Sequence, residues 1–230
     1  WDTKKPQWGM SNGYKWVDLG LSVKWASQNI GALIPEDYGD YFAWGETETK
    51  SEYTESNSLT YGLTISELQS QGYIDGSGNL APSHDAATAN WSGNWRMPTK
   101  EEIQELIDNC TWELVVRNGI NVYNVKGSNG NSIFLPKVDS YNSNYWSSTP
   151  HMTTGTGWIL DIYYTPDKSF EHRYYRGMIR PVSGGNFTGP EEQPIIQENI
   201  YIETITGEEN GHAYVDLGLS SGLMWATYNI

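Results

Sequence analysis

Aromatic, imidazole and guanidinium side chains crowd the stretch from Tyr145 to Arg176, with Ser and Thr set between them. An aromatic ring has an apolar face that fits the C–H side of a sugar and a polar edge that bonds its hydroxyls, while Arg and His add charge-assisted contacts. The same rings can serve as packing, because the chain has 11 Trp and 16 Tyr but only 4 Phe. Strand alternation turns about half of them inward. It assigns Trp146, Trp158, Tyr163 and Tyr175 to packing and Tyr164, His172, Tyr174 and Arg176 to the surface, and a one-residue shift of register reverses that choice. The candidate ligand-binding set is therefore Trp146, His151, Trp158, Tyr164, His172, Tyr174 and Arg176.

Catalytic patterns are missing from the sequence. Cys110 is the single cysteine, so neither an internal disulfide nor a cysteine-built zinc site can form. His84, His151, His172 and His212 show no metal-ligand spacing, no G-x-S-x-G elbow occurs, and no phosphate-cradling glycine loop precedes a helix. Carboxylates abound, but a glycosidase pair needs a defined separation that a sequence does not give. The reading is a non-enzyme with no catalytic residue and no metal site. A net charge of −14, from 28 acidic and 14 basic residues, argues against nucleic acid or an anionic membrane surface as partner. No run approaches the length that crosses a bilayer. Trp1 is not an initiator methionine, so the natural N-terminus, with room for an export signal, is expected upstream.

The elements that position these residues read as strands, turns and two helices. In "VDLGLSVKWAS", Val17, Leu19 and Leu21 fall on one side of an alternating strand, with Trp25 on the return strand. Thr64 and Glu67 form a capping box before a short helical turn that Gly72 stops. Thr99 and Glu102 form a second, and Ile103, Leu106, Ile107 and Cys110 follow at i, i+3, i+4 and i+7, which makes one face core and Cys110 a buried small hydrophobe. Asn118-Gly119 and Asn129-Gly130 then punctuate a three-stranded meander. "YWSST", "GWILDIYY" and "RYYRGMIRPV" read as further strands. The class is α+β, an antiparallel arrangement with two flanking helices.

The chain also begins a sentence twice. Val17–Ser22 recurs as Val215–Ser220, Trp25-Ala26 as Trp225-Ala226, and Asn29-Ile30 as Asn229-Ile230, at a separation of domain size. This predicts an N-terminal lead-in over 1–12 and one complete domain over 13–183. A linker and strand follow over 184–210, with Ile200 and Ile202 on one face, and 211–230 is the first hairpin of a second, truncated repeat.

"NWRMPTKEEIQELIDNCTW", "YWSST" and "RGMIRPV", with "VDLGLSVKWAS", "EDYGDYFAWGETE" and "HDAATANW", resemble the major paralogous domain family first named from Fibrobacter and abundant in gut Bacteroidota. That family is similar to bacterial domains with a C-type lectin fold. The resemblance implies twisted antiparallel sheets, first and last strands paired, two flanking helices and a long irregular region that presents a ligand surface. It also implies a secreted or surface-anchored bacterial protein, often a lipoprotein. The enzymatic cousins of the fold, formylglycine-generating enzymes, depend on paired cysteines that this chain lacks. The stretch from "YWSS" to "RPV" resembles the variable segment of retroelement-diversified proteins, although here a linker and a second copy follow it.

Lectins of this fold often hold a sugar through Ca²⁺. Thr165-Pro166-Asp167 with Glu171 faintly resembles their Pro-centred tripeptide, but Thr stands where an amide or acid is needed and the companion Trp-Asn-Asp is absent, so a Pro-Asp turn is favoured. Glu36, Asp37, Asp40 and Asp85 likewise read as turn and cap residues. No cofactor is expected, calcium being the alternative left open. The leading expectation is a surface recognition or adhesion module binding a glycan or an extracellular protein at the outer-membrane surface or outside the cell. The alternative is a structural protein that self-associates through residues 211–230.

Overall fold

The computed structural model describes residues 7–138 and 144–184, and the backbone of 206–209, 212–216 and 224–226. The chain divides into two compact units, Trp1–Pro194 and Ile195–Ile230. The first opens with β1 (Trp8–Ser11), β2 (Tyr14–Val17) and β3 (Lys24–Ala26). A long irregular stretch leads to α1 (Ile65–Ser70), α2 (Ala86–Trp91), β4 (Trp95–Arg96) and α3 (Lys100–Asn109). Then come β5 (Cys110–Arg117), β6 (Ile120–Gly127), β7 (Ser132–Pro136), β8 (Asn144–Pro150), β9 (Thr156–Asp161), β10 (Asp167–His172) and the two-residue β11 (Val182–Ser183). Second-unit strands are β12 (Thr206–Glu209), β13 (His212–Asp216) and β14 (Met224–Ala226).

The α+β class holds. Sheet order in the first unit is β1-β2-β3-β11-β4, with separate three-stranded sheets β5-β6-β7 and β10-β9-β8. β11 closes the opening hairpin by pairing Val182 with Trp25 on one side and with Arg96 on the other, so the opening hairpin and the last described strand of the unit meet. Trp16 and Val17 are neighbours that point to opposite faces of β2, and each enters a different core. Trp16 and Ala26 join Trp44, Trp91, Trp95, Trp146 and Leu68. Val17 and Trp25 join Ile103, Leu106, Val125, Leu135, Tyr145 and Leu160.

Local signals folded as their chemistry dictates. Thr64 and Thr99 accept the N–H groups of Glu67 and Glu102, completing both capping boxes. Ile103 and Leu106 are fully buried on the inner face of α3, each contributing about 1.5–3 kcal/mol of apolar burial. Asn118 and Gly119, both at positive φ, make the tight turn that pairs Arg117 with Ile120.

Other elements differ from expectation. The strand expected to run through Val17, Leu19 and Leu21 is β2 and ends at Val17, because Asp18 turns the chain by accepting the Gly20 N–H, although Leu19 is still buried. α3 ends at Asn109, and the half-buried Cys110 begins β5 instead of extending the helical face. Residues 8–11, read as lead-in, are an edge strand of the first sheet. α2 is a third helix. "DKSFEH" is a strand, while most of "RYYRGMIRPV" is irregular, held by Gly177 and Phe42 exchanging backbone hydrogen bonds. Ile200 and Ile202 lie outside the described residues. In the second unit β12, β13 and β14 pair in that order.

Candidate functional site

β9 and β10 form the platform. Their register sets Phe170 opposite Trp158 and His172 opposite Thr156, so Phe170 and His172 lie on one face, two residues apart. His151 follows β8 and stacks on Phe170 at 4.2 Å and 7° while meeting Trp158 edge-on at 4.6 Å. The His151 Nδ1 accepts the Thr153 N–H at 3.1 Å, which leaves the proton of the neutral ring on Nε2. Burial holds its pKa below the usual histidine value, helped by the positive charges of Lys100 and Arg173. Lys100 Nζ and Lys168 Nζ stand 5.9 and 5.3 Å from the Trp158 ring centre.

A second cluster continues from His172. Tyr61 meets Tyr174 edge-on at 4.8 Å and His172 at 5.8 Å, His172 stacks on Tyr174 at 5.5 Å, and Tyr174 touches Tyr175 at 4.4 Å. The Tyr174 phenol is pushed well above its ordinary pKa, first by its hydrogen bond with Tyr175 and then by burial, so it stays a neutral hydroxyl. Arg176 lies over Tyr41, 5.1 Å from the ring centre. The two clusters form one aromatic band from Trp158 to Tyr175.

Arg173 points the other way and fixes this end of the band. It is fully buried, its Nε donates to Thr156 O at 2.9 Å, and one terminal nitrogen donates to Thr60 O and Leu63 O at 3.2 and 2.9 Å. Those two carbonyls bracket Tyr61. The other terminal nitrogen has no hydrogen-bond partner among the described residues, and the guanidinium lies 4.8 Å from the Trp44 ring centre. Burial lowers its pKa to about 10, which leaves it cationic at neutral pH.

Of the candidate ligand-binding residues, His151, Trp158, His172 and Tyr174 come together here, while Arg176 lies apart over Tyr41. Trp146 does not join them. It is 1% exposed, its Nε1 donates to Phe42 O at 2.9 Å, and Gly177 packs so closely that a Cβ there would lie 2.5 Å from that nitrogen. Tyr164 is 75% exposed but sits with Tyr163 in the β9–β10 turn, a strand's length of roughly 17 Å from His172. Tyr175, assigned to packing, is 41% exposed. Sequence reasoning missed Tyr61, Lys100 and Lys168. No local signal marks Tyr61, since the contact depends on Arg173 reaching across more than a hundred residues.

Four of the six candidate cation ligands have other partners. Glu36 pairs with Arg117, and Asp85 caps α2. Asp167 and Glu171 accept the backbone N–H groups of Lys168 and His172. Among the described residues no three His, Cys, Asp or Glu side chains gather as a metal site needs. Burial and Glu105 raise the Cys110 thiol to about 11, leaving little thiolate at neutral pH. A groove of about 600 Å³ lies between Asp75, Asn79, Arg96, Glu101 and Ser148. Within it Arg96 binds Glu102 through both terminal nitrogens, and Asn79 accepts from Thr149 and Ser148. No helix among the described residues is long and apolar enough to cross a membrane. The chain matches no protein-family model, no curated protein and no solved structure.

Proposed function

We propose that this chain is a non-enzymatic recognition module that binds a glycan through the aromatic band from Trp158 to Tyr175. The observation that carries the reading is the band itself: partly exposed rings with polar edges, set on paired strands and braced from behind by a buried arginine. Such rings present apolar area that is already ordered, so binding loses little side-chain entropy. The resemblance to the Fibrobacter-type family and its C-type lectin-like fold belongs to the same proposal, as does a place outside the cell or on the bacterial outer membrane. The expected pairing of first with last strand is not the one found, since β11 pairs with β3 and β1 stays at the sheet edge, but the opening hairpin does meet the end of the domain and a long irregular stretch precedes α1, which supports the reading in outline. Repetition favours a binding role, because linked weak modules gain avidity through effective concentration.

The full chain is tested against immobilised bacterial, plant and mucin glycans, with calcium and with chelator, beside a Tyr61→Ala/Tyr174→Ala variant. Calcium-independent binding that the variant weakens at least about tenfold is expected. Undiminished binding by a folded variant overturns the site. Silence across the panel overturns the glycan reading.

A further inference from the structure

The two ends of the aromatic band differ in charge. Near Tyr61 and Tyr174 the Arg173 cation is buried behind the rings, and on the exposed side the Glu55 carboxylate helps raise both phenols. At the other end two ammonium groups face the partly buried Trp158 indole. Lys100 is the first residue of α3 and Lys168 belongs to β10, so a helix and a strand together fix their convergence. At 5.9 and 5.3 Å from the ring centre they stand near the outer limit of cation–π contact, about 6 Å, and do not cover the ring closely. Two lysines over one indole run against the composition of a chain with twice as many acidic as basic residues. Nearby carboxylates do not neutralise them fully. Glu101 lies 3.5 Å from Lys100 Nζ but is well exposed, where such a pair is weak. Asp167 and Glu171 alternate to the opposite side of β10 and bond backbone amides.

We infer that the Trp158 end of the band is an anion-selective subsite for a pyranose ring that carries a carboxylate or a sulfate. The C–H face of the ring rests on the indole, its acid group lies toward Lys100 and Lys168, and a hydroxyl accepts from His151 Nε2–H. Phe170, 50% exposed and stacked on His151, extends the apolar floor toward the rest of the band. The net charge of −14 slows the approach of a polyanion, yet at physiological salt that field is screened beyond about 8 Å, and the two ammonium groups dominate locally. The inference rests on the band being a sugar-binding face and names the class of sugar.

Calorimetric titration of the full chain with oligogalacturonate, its methyl ester and a sulfated galactan tests it, beside Lys100→Gln/Lys168→Gln and Tyr61→Ala/Tyr174→Ala variants. The ester keeps the ring and loses the charge. The expected result is about tenfold tighter binding of at least one acidic probe than of the ester, with that preference abolished in the lysine variant while its ester binding persists. Which acidic probe wins identifies the anion. Equal binding of acid and ester, or a preference that survives in the lysine variant, overturns the subsite and leaves the sugar-binding face standing. Failure of all three probes overturns the subsite as well, and the glycan panel then decides whether the band binds sugars at all.

Discussion

Arg173, Arg176 and Arg180 share one short segment, yet only Arg176 reaches the surface. The other two are buried without a carboxylate partner among the described residues, and backbone or amide oxygens take that role. Arg180 donates to Asn29 Oδ1 at 2.8 Å, to Ala26 O at 3.1 Å and to Phe134 O at 2.8 Å, tying β3 to β7. Burial lowers its pKa to about 10, so it too is cationic at neutral pH. A guanidinium suits this work because its donors fan out in a fixed plane. Arg173→Lys keeps the charge, but one ammonium cannot reach the Thr156, Thr60 and Leu63 carbonyls together. The variant is expected to lose about 2–4 kcal/mol in urea unfolding, since it strands buried acceptors and a buried charge. It should also bind glycan as weakly as a Tyr61→Ala variant, because the segment that presents Tyr61 loses its brace. An unchanged urea midpoint would show that these bonds carry no stability.

At the scale of elements, α2 depends on one carboxyl. Asp85 Oδ1 accepts the Thr88 N–H at 2.9 Å, capping the helix, and Oδ2 accepts the Met97 N–H at 2.8 Å, joining it to the residue just after β4. Burial raises the carboxyl to about 6, and those hydrogen bonds with the Arg96 charge only partly oppose it. The sign follows from linkage. With a folded pKa above the unfolded 3.8, the native state binds more protons, so this contribution is complete below pH about 3.8 and is lost as pH rises through about 6. Relative to Asp85→Asn, which does not titrate, the natural chain should gain roughly 3 kcal/mol or less between pH 7.5 and 4. Denaturant titrations of both proteins at the two pH values measure this, and a difference of opposite sign refutes it. α2 escaped the sequence reading because six residues are too few to show a helical period. The capping boxes at Thr64 and Thr99 and the Asn118-Gly119 turn were legible, because every partner lies within a few residues. "RYYRGMIRPV" was misread as a strand because its hydrogen bonds go to distant Phe42 and Trp25. The site followed the same rule: aromatic abundance marked the region, but neither Tyr61 nor the lysines over Trp158 are neighbours in sequence.

At the scale of the whole molecule, the repeated words fold alike. Val215 pairs with Trp225 as Val17 pairs with Trp25, and Thr206 pairs with Val215 as Trp8 pairs with Val17, so both copies adopt one backbone register. In the first unit that hairpin does more than close a turn. β2 and β3 each send one side chain into the tryptophan-rich core and the next into the core under α3, so neither core keeps its wall if the other opens. Leu106, fully buried under α3, contacts only the second of them. Leu106→Ala leaves a cavity there and is expected to cost about 2–5 kcal/mol. If the shared strands couple the cores, emission from Trp44, Trp91 and Trp95, measured in a Trp25→Phe/Trp112→Phe background that removes the indoles of the second core, must report the loss although none of them touches the mutated site. The fluorescence and far-ultraviolet dichroism midpoints then fall together in thermal unfolding, as one cooperative transition requires. A fluorescence midpoint that stays put while the dichroism falls would mean that the cores melt separately and that the central hairpin transmits nothing.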